Sequence, residues 1–354
     1  MKLTRYSAAT SLLFISGLAS AQTSSVILYG VADVGIEYLT NVPNAANNAS
    51  NLVRMTSGDL AASRWGIRGT ESLGGNLTAL FVLEGGITLD DGKMGQNNRL
   101  FGRKAYLGLS SKQYGELTFG RQQSLVFDVL IPYDPMYFSP FHSAFAHDVG
   151  LAAKVDNSVK YVGRAGGFTA TALYSFGADS TVAGGSEVPG DPKVGRDLGF
   201  GLTYEFGKLR LSGVFEQQNG QSVATVNQTQ ARFGAGVAYY FENLTLSAAY
   251  RRLNSDVGTG PVRTDLYWVG AAWTINPAWT LRAAVYRTND RLSNKDPISF
   301  VLSGEYSLSK RTSLYATSAF ARNANGSALA VSYGAPVVAG ENQFGMAVGV
   351  KHTF

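Results

Sequence analysis

Basic side chains recur in segments whose residues alternate between apolar and polar types. In the segment SRWGIRG, Trp65 and Ile67 share an apolar face. Because successive side chains of a strand point to opposite faces, Arg64 and Arg68 share the other face. The segment NSVKY places Lys160 on its polar face in the same way. Cationic groups collected along one surface attract anions, and that is the chemistry these residues predict.

A further segment, RLFGRKAYLGL, carries two adjacent basic residues that cannot share a face. We assign Lys104 and Tyr106 to the apolar face, which puts Arg103 on the polar one. If the apolar face meets lipid, a charge on it costs about 2–4 kcal/mol near the bilayer midplane. Lys104 is therefore expected near a headgroup or in a contact between subunits. Arg121 meets the same difficulty, because it shares a face with Phe119.

The longest connection, about 123–156, carries three prolines, many aromatic residues and several carboxylates. A connection of this length is uncommon unless it is functional or packed against the rest of the fold. We expect it to fold into the space that the strands enclose and to narrow it. The connection also carries the carboxylates Asp128, Asp134 and Asp148 into that space. A cap over the outer opening is the alternative.

Residue types for metal or covalent chemistry are scarce. The chain has no cysteine and three histidines, His142, His147 and His352. The first two lie on the long connection without an evident third ligand, so neither a metal site nor a cofactor is expected. A Ser–His pair on a strand would need an inward histidine, whereas alternation in the last strand points His352 outward. The sequence therefore does not favour an enzyme.

Sixteen strands are expected to position these residues. In the ranges 198–206, 300–308 and 343–354, one face is almost wholly apolar and the other is small or polar. Seven short turns and eight longer loops connect the strands, which leaves both ends of the strand array on the short-turn side. This arrangement is typical of a closed antiparallel transmembrane β-barrel. The predicted strands begin near Val26, Leu52, Asn76, Leu100, Glu116, Asn157, Phe168, Val194, Leu209, Gln230, Leu244, Arg263, Trp279, Ile298, Ser313 and Asn342.

Several features favour a membrane barrel over a water-soluble sandwich, which also alternates. Charged residues make up 16% of the chain, against about 25% in a typical soluble domain. The apolar sets are about nine to eleven residues long, as a tilted membrane-spanning strand requires. Aromatic residues such as Tyr204 and Phe206 stand at strand ends, where the membrane interface is expected. An open sheet would leave backbone groups unpaired in lipid, so the sheet must close.

The first 21 residues are predicted to be an export signal. Lys2 and Arg5 precede an apolar core, 8–18, and Ala19-Ser20-Ala21 forms a small-residue cleavage site. The core is too short to span a bilayer, which takes about 20 residues. Cleavage leaves one barrel domain, 22–354, with 28 of the 30 basic side chains and all 25 acidic ones. That small positive balance does not indicate a nucleic-acid partner.

Five segments resemble the general diffusion porins of Gram-negative bacteria, and above all the branch of β-proteobacteria and Neisseria-type organisms. The segments are SVILYGVADVGIEY, SRWGIRGTESLGG, FGRKAYLGLSSKQYGELTFGRQ, DNSVKYVG and the terminal VGVKHTF. The resemblance covers essentially the whole chain after the signal. The resemblance implies an outer-membrane homotrimer of sixteen-stranded barrels, each with a water-filled pore that is narrowed by the third loop.

The resemblance also implies roles for particular residues. Arg121, in FGRQ, would lie towards the subunit interface, and Phe354 would be the address read by the outer-membrane assembly machinery. The long loop lacks the P-E-F-G-G stretch of some porins, which leaves its path open. The pore would narrow between a basic wall, Arg64, Arg68, Arg103 and Lys160, and an acidic loop, Asp128 and Asp134.

These patterns predict passive diffusion of ions and small hydrophilic solutes, with a mild preference for anions. A channel specific for a small anionic solute or a sugar is the alternative. A receptor or adhesin that uses the long polar loops is a third possibility. Four further arginines are expected to point inward, as a second basic wall or as solvated charges: Arg210, Arg232, Arg251 and Arg282.

Overall fold

The computed structural model describes residues 24–179 and 187–354, so the predicted signal, 1–21, lies outside the described residues. Seventeen extended segments form one antiparallel sheet whose first and last members pair. Two of these segments, Ala49–Ser57 and Arg64–Gly74, are the halves of one strand, because each pairs with a different half of the first strand. The barrel is therefore closed and has sixteen strands, as predicted.

We number the strands β1–β16 and call the two halves of the second strand β2a and β2b. They are β1 (Ser24–Pro43), β2a (Ala49–Ser57), β2b (Arg64–Gly74), β3 (Leu77–Gly86), β4 (Lys104–Ser111), β5 (Gly115–Gln123), β6 (Lys154–Ala165), β7 (Phe168–Ser175), β8 (Asp197–Phe206), β9 (Leu209–Asn219), β10 (Thr229–Tyr240), β11 (Leu244–Ser255), β12 (Val262–Asn276), β13 (Trp279–Asp290), β14 (Ile298–Ser307), β15 (Thr312–Arg322) and β16 (Gln343–Thr353). The helical segments are α1 (Gly95–Asn98), α2 (Leu125–Leu130) and the 3-10 turns Ile131–Tyr133, Ala144–Ala146, Val149–Ala152 and Val223–Thr225.

The barrel closes between β1 and β16. Nine residue pairs join the two strands, from Val31 with Thr353 to Leu39 with Gly345. Beyond them, Gly30 and Phe354 exchange two backbone hydrogen bonds of 3.0 and 3.1 Å. The last residue therefore lies beside the first strand, and the ladder has no open edge there.

The outer surface carries the apolar faces of the strands. Phe200 and Leu202 on β8 are 55% and 51% exposed, while the glycines between and beside them face the interior. Aromatic pairs stand at the short-turn end, for example Phe168 with Tyr204 at 4.4 Å and Trp279 with Tyr306 at 4.8 Å between ring centroids. This band and its aromatic rim fit the surface of a barrel in lipid. None of the helices in the described ranges is long and apolar enough to cross a membrane.

The second strand is interrupted at residues 58–63. The Asp33 carboxylate accepts hydrogen bonds from the backbone N–H groups of Leu60 and Ala61 at 3.1 and 2.7 Å. Asp59 is buried, its carboxylate accepts a bond from Thr56 at 2.7 Å, and its carbonyl accepts one from Ser139. The inserted residues therefore join β1 to the third loop across the interior.

The Asp59 carboxyl makes this junction sensitive to pH. Burial, with a smaller contribution from nearby carboxylates, raises its pKa from 3.8 to about 7. The folded state thus keeps a proton that the unfolded state releases, so this contribution to stability falls as the pH rises from about 4 through 7. We expect the wild-type melting temperature to drop by roughly 2–4 °C between pH 5 and 8, and Asp59→Asn to remove most of that drop. Circular dichroism in detergent measures both; equal pH slopes in the two proteins would contradict the assignment.

Candidate functional site

The third loop, 124–153, packs on the barrel face opposite the exposed apolar residues. Ser124 caps helix α2 by accepting a hydrogen bond from the Phe127 backbone N–H at 3.2 Å. Further along, the Trp268 indole donates to the Tyr133 carbonyl at 3.0 Å, and the Tyr133 hydroxyl lies 2.5 Å from the hydroxyl of Ser212. Glycines on the facing strands make room for these side chains. The loop is therefore fixed to the wall formed by β8–β13.

Asp148 is the charged anchor of the loop. Its carboxylate accepts two 3.0 Å hydrogen bonds from Arg232 and lies 3.1 Å from the Nε atom of Arg251. Burial would raise the pKa of this carboxyl, but the two guanidinium groups outweigh burial and hold the pKa well below its usual range. One buried carboxylate thus compensates two strand arginines and ties the loop to β10 and β11.

Asp134 organises the backbone of the loop. It is 1% exposed and accepts hydrogen bonds from the backbone N–H groups of Met136 and Phe138 at 3.0 and 3.1 Å. The Ala144 N–H, at 3.3 Å, and the Tyr286 hydroxyl, at 2.5 Å, complete its shell. Its carboxylate is therefore turned into the loop and does not line the open cavity described below, contrary to the position predicted from the sequence.

Asp134→Asn tests that position against Asp128→Asn on the same loop. An amide cannot accept all four of these hydrogen bonds, and each buried donor left without a partner costs about 1–3 kcal/mol. We expect Asp134→Asn to lower the melting temperature and to leave the reversal potential in a KCl gradient unchanged. Asp128, whose side chain is 37% exposed, should instead give a small shift in reversal potential towards anions, because its neutralisation leaves the charge of Lys160 uncompensated. A shift in reversal potential for Asp134→Asn but not for Asp128→Asn would contradict the buried position and indicate that Asp134 faces the pore.

A cavity of about 1030 Å³ lies between the third loop and the opposite wall. The predicted residues Arg64, Arg68 and Arg103 all line it. Three basic residues that were not predicted for the site join them: Arg54, Lys104 and Lys154. Two acidic residues, Glu84 and Asp90, also contribute to the lining. Six basic against two acidic side chains give the lining a positive formal balance, and this set of six is called the basic wall below.

Some members of the basic wall are paired and others are not. Glu84 lies 2.7 Å from the Nε atom of Arg103 and 3.9 Å from that of Arg64. Arg68 instead lies over the ring of Tyr29, 5.3 Å from its centroid. Among residues 24–179 and 187–354, neither Arg68 nor Lys104 has a carboxylate within 4.0 Å. These two side chains carry charge that is open to a solute.

The loop side of the cavity is aromatic and apolar, not acidic. Tyr137 is 57% exposed, and the rings of Phe127 and Phe145 are partly exposed. The predicted facing rows of opposite charge are therefore not what lines this cavity. The aromatic loop residues in the lining are Phe127, Tyr137, Phe138, Phe141 and Phe145, and the aliphatic ones are Ile131, Pro140, Val149 and Ala152.

Lys160 and Asp128 form an ion pair with each other outside the lining of this cavity. The Nζ atom of Lys160 lies 2.6 Å from Asp128 Oδ2 and donates to the Gln123 carbonyl at 2.6 Å. Lys160 is 6% exposed. The structure brings these two predicted residues together at the start of the loop, and the pair leaves little free charge.

The structure corrects the orientation of Lys104, and it also starts the strand later than predicted. The strand was expected from Leu100, whereas β4 begins at Lys104. Leu107 and Leu109 are exposed on the outer face, so Lys104 and Tyr106 point inward and line the cavity. Arg103 precedes the regular strand, which lets its side chain turn inward as well.

A bulge resolves the position of Arg121. The pairing of β5 with β6 shifts register between Gly120 and Gln122, and Gly120 has a positive φ of 126°. The bulge re-aims the side chain, and its guanidinium lies 2.5 Å from Asp156 and 2.7 Å from the Gly102 carbonyl. A subunit interface is no longer needed to explain this residue.

The four further arginines are compensated within the chain. Besides the pairs with Asp148, Arg282 lies 2.9 Å from Glu305 and Arg210 lies 3.3 Å from Glu205. Arg54 is paired as well, with Glu37 at 2.7 Å. It could have been found by the same alternation rule, because its neighbours Val53 and Met55 are exposed on the outer face. The part of the chain that the structure describes holds no group of three His, Asp or Glu side chains able to bind a metal ion.

Comparison with known proteins agrees with this architecture. The model of the Gram-negative porin family matches residues 8–326. The chain belongs to the Gram-negative porin family. An outer membrane porin protein of Bordetella pertussis is 32% identical over 89% of this chain and 93% of its own length. Outer membrane porin protein 32 of Delftia acidovorans is 30% identical over 98% of both chains.

Solved structures of porins share the fold. The anion-selective porin from Comamonas acidovorans superposes with a TM-score of 0.81 at 28% identity, covering 94% of this chain and all of the other. A Vibrio cholerae outer membrane protein with loop L8 deleted matches with a TM-score of 0.68 at 18% identity, over 94% of this chain and 99% of its own. This porin is therefore an outer-membrane channel for passive diffusion, which favours transport over the catalytic alternative.

Proposed function

We propose that this porin is an anion-preferring diffusion channel whose constriction lies between the third loop and the basic wall. Arg64, Arg68 and Arg103 act on the wall side. Asp128 compensates Lys160, and Asp134 holds the loop in shape. Ions and small hydrophilic solutes pass through the remaining water-filled space.

The single observation that carries this proposal is the charge of the cavity lining, six basic side chains against two acidic ones. Cations on a low-dielectric wall raise the local concentration of anions. The effect acts at short range, because the Debye length is about 10 Å at 0.1 M salt. The similarity to an anion-selective porin supports the same preference.

Recording from the purified porin in planar bilayers tests the proposal. In a tenfold KCl gradient the zero-current potential should have the sign of chloride permeation. The preference should weaken as the salt concentration rises, since screening shortens the reach of the wall. A cation-selective potential, or the absence of stepwise conductance, would overturn the proposal.

We also propose that the porin forms a homotrimer and that Phe354 is read by the outer-membrane assembly machinery. The trimer rests on membership of the porin family, because Lys104 and Arg121 no longer require a subunit interface. Phe354 is 44% exposed on the outer face. Closure of one open channel in three equal current steps would support the trimer, and single-step closure would contradict it. Slower membrane assembly of Phe354→Ala, with unchanged export, would support the role of the last residue.

A further inference from the structure

We infer that the cavity binds organic anions that carry an aromatic ring, with the carboxylate at the basic wall and the ring against the third loop. The inference rests on the proposed anion preference and names the solute class. A preference for simple anions needs cations alone. Such a preference does not explain why the loop side of the cavity is lined with aromatic residues. That lining prompts the present inference.

The interior of a barrel channel is ordinarily polar, yet here large rings face the water. Tyr137 is 57% exposed and Tyr333, at the cavity edge, is 58% exposed. Contact between an exposed ring and an apolar part of a solute removes apolar surface from water, which lowers the free energy. The loop side therefore offers a binding surface to rings that it does not offer to chloride or acetate.

The rings are held in place by contacts with one another. Phe145 meets Tyr333 edge to face at 5.5 Å, and Phe127 meets Phe138 at 6.1 Å. Edge-to-face and offset stacking are the arrangements that aromatic rings prefer. Because these rings are already ordered, binding of a planar ring does not cost the conformational entropy of ordering them.

The opposite side supplies the partner for a carboxylate. Arg68 and Lys104 both line the cavity and are not neutralised by a nearby carboxylate in the described ranges. A guanidinium binds a carboxylate through two parallel hydrogen bonds, while an ammonium acts as a point charge. An aryl carboxylate satisfies both sides of the cavity at once, and neither a neutral arene nor an aliphatic acid does so.

The test measures block of chloride current by added anions in planar bilayers. Benzoate is compared with acetate and with cyclohexanecarboxylate, which matches its size but is not aromatic. Benzoate should block at a concentration at least about threefold lower than either acid. Benzamide, the uncharged analogue, should block more weakly than benzoate.

Variants locate the effect. Tyr137→Asn with Phe145→Ala should bring the ratio of benzoate to acetate block towards one; Asn suits the positive φ of 53° at position 137. Tyr114→Ala, which removes a 70% exposed tyrosine from a short turn, is the matched control and should leave the ratio unchanged.

The outcomes separate the two proposals. If the zero-current potential in KCl shows no anion preference, the proposed function fails. If that preference is present but benzoate blocks no better than acetate and cyclohexanecarboxylate, the function stands and the inference is overturned. Equal effects of the two tyrosine variants would overturn it as well.

Discussion

Replacing Arg68 and Lys104 together by glutamate should abolish the anion preference of the channel. The cavity lining then holds four basic and four acidic side chains in place of six and two. These two residues are chosen because neither has a carboxylate partner, so their replacement leaves no buried acid uncompensated. We expect the ratio of chloride to potassium permeability, taken from the zero-current potential in a KCl gradient, to fall to about one.

Two comparisons make this result specific. The neutral variant Arg68→Gln/Lys104→Gln should give an intermediate ratio, because it removes only half as much charge. The control Lys208→Glu/Lys310→Glu makes the same change of charge at exposed positions in two short turns and should leave the ratio near the wild-type value. If the control shifts the ratio as far as the cavity variant does, selectivity follows total charge and the basic wall is not its source.

Asp148→Asn should release the third loop from the wall. The substitution leaves Arg232 and Arg251 buried without their shared anion, and breaking a buried ion pair from one side costs about 3–5 kcal/mol. A drop in melting temperature of roughly 10 °C follows. Without this anchor the loop is less restrained, so we also expect a larger and more variable single-channel conductance.

The pH dependence of stability and a second substitution test whether the lost ion pairs of Asp148 cause the destabilisation. Because the pKa of Asp148 is depressed in the folded state, its stabilisation is present at neutral pH and fades as the pH falls below the ordinary carboxyl value near 3.9. The difference between wild type and variant should therefore narrow in acid. Adding Arg251→Met to Asp148→Asn should recover part of the stability, since one orphaned cation is gone. A variant as stable as the wild type at pH 7 would contradict the anchoring role.

The fold could be predicted because alternation is a strong signal in regular strands. Arg64 and Arg68 alternate with Trp65 and Ile67 along β2b without a break, and the rule placed them on the inner face. It failed at Arg121, where a bulge shifts the alternation by one residue. The bulge changes neither composition nor spacing in a way that the rule detects. At Lys104 the outward face was assigned wrongly, because Leu107 and Leu109 form the exposed set and alternation from them places Lys104 inward.

The loop could not be predicted in the same way, because an irregular segment has no period that assigns its side chains to a face. Asp134 was expected at the pore surface because the resemblance to general diffusion porins implies an acidic loop there. Its burial depends on the backbone N–H groups and the tyrosine that surround it after folding. The aromatic residues were expected to help the loop pack, and several of them prove to face the cavity. The part that each of these residues plays in permeation stays a prediction.

The basic wall has a consequence for solutes that carry no charge. Fixed cations on one side of a wet passage are balanced by an excess of mobile anions within it. When a voltage drives these anions, their hydration water moves with them, so the current is accompanied by electro-osmotic flow. A neutral sugar dissolved in that water is carried in the direction of the anions. The arginines and lysines that determine ion selectivity would thus also make the entry of uncharged nutrients depend on the sign of the membrane potential.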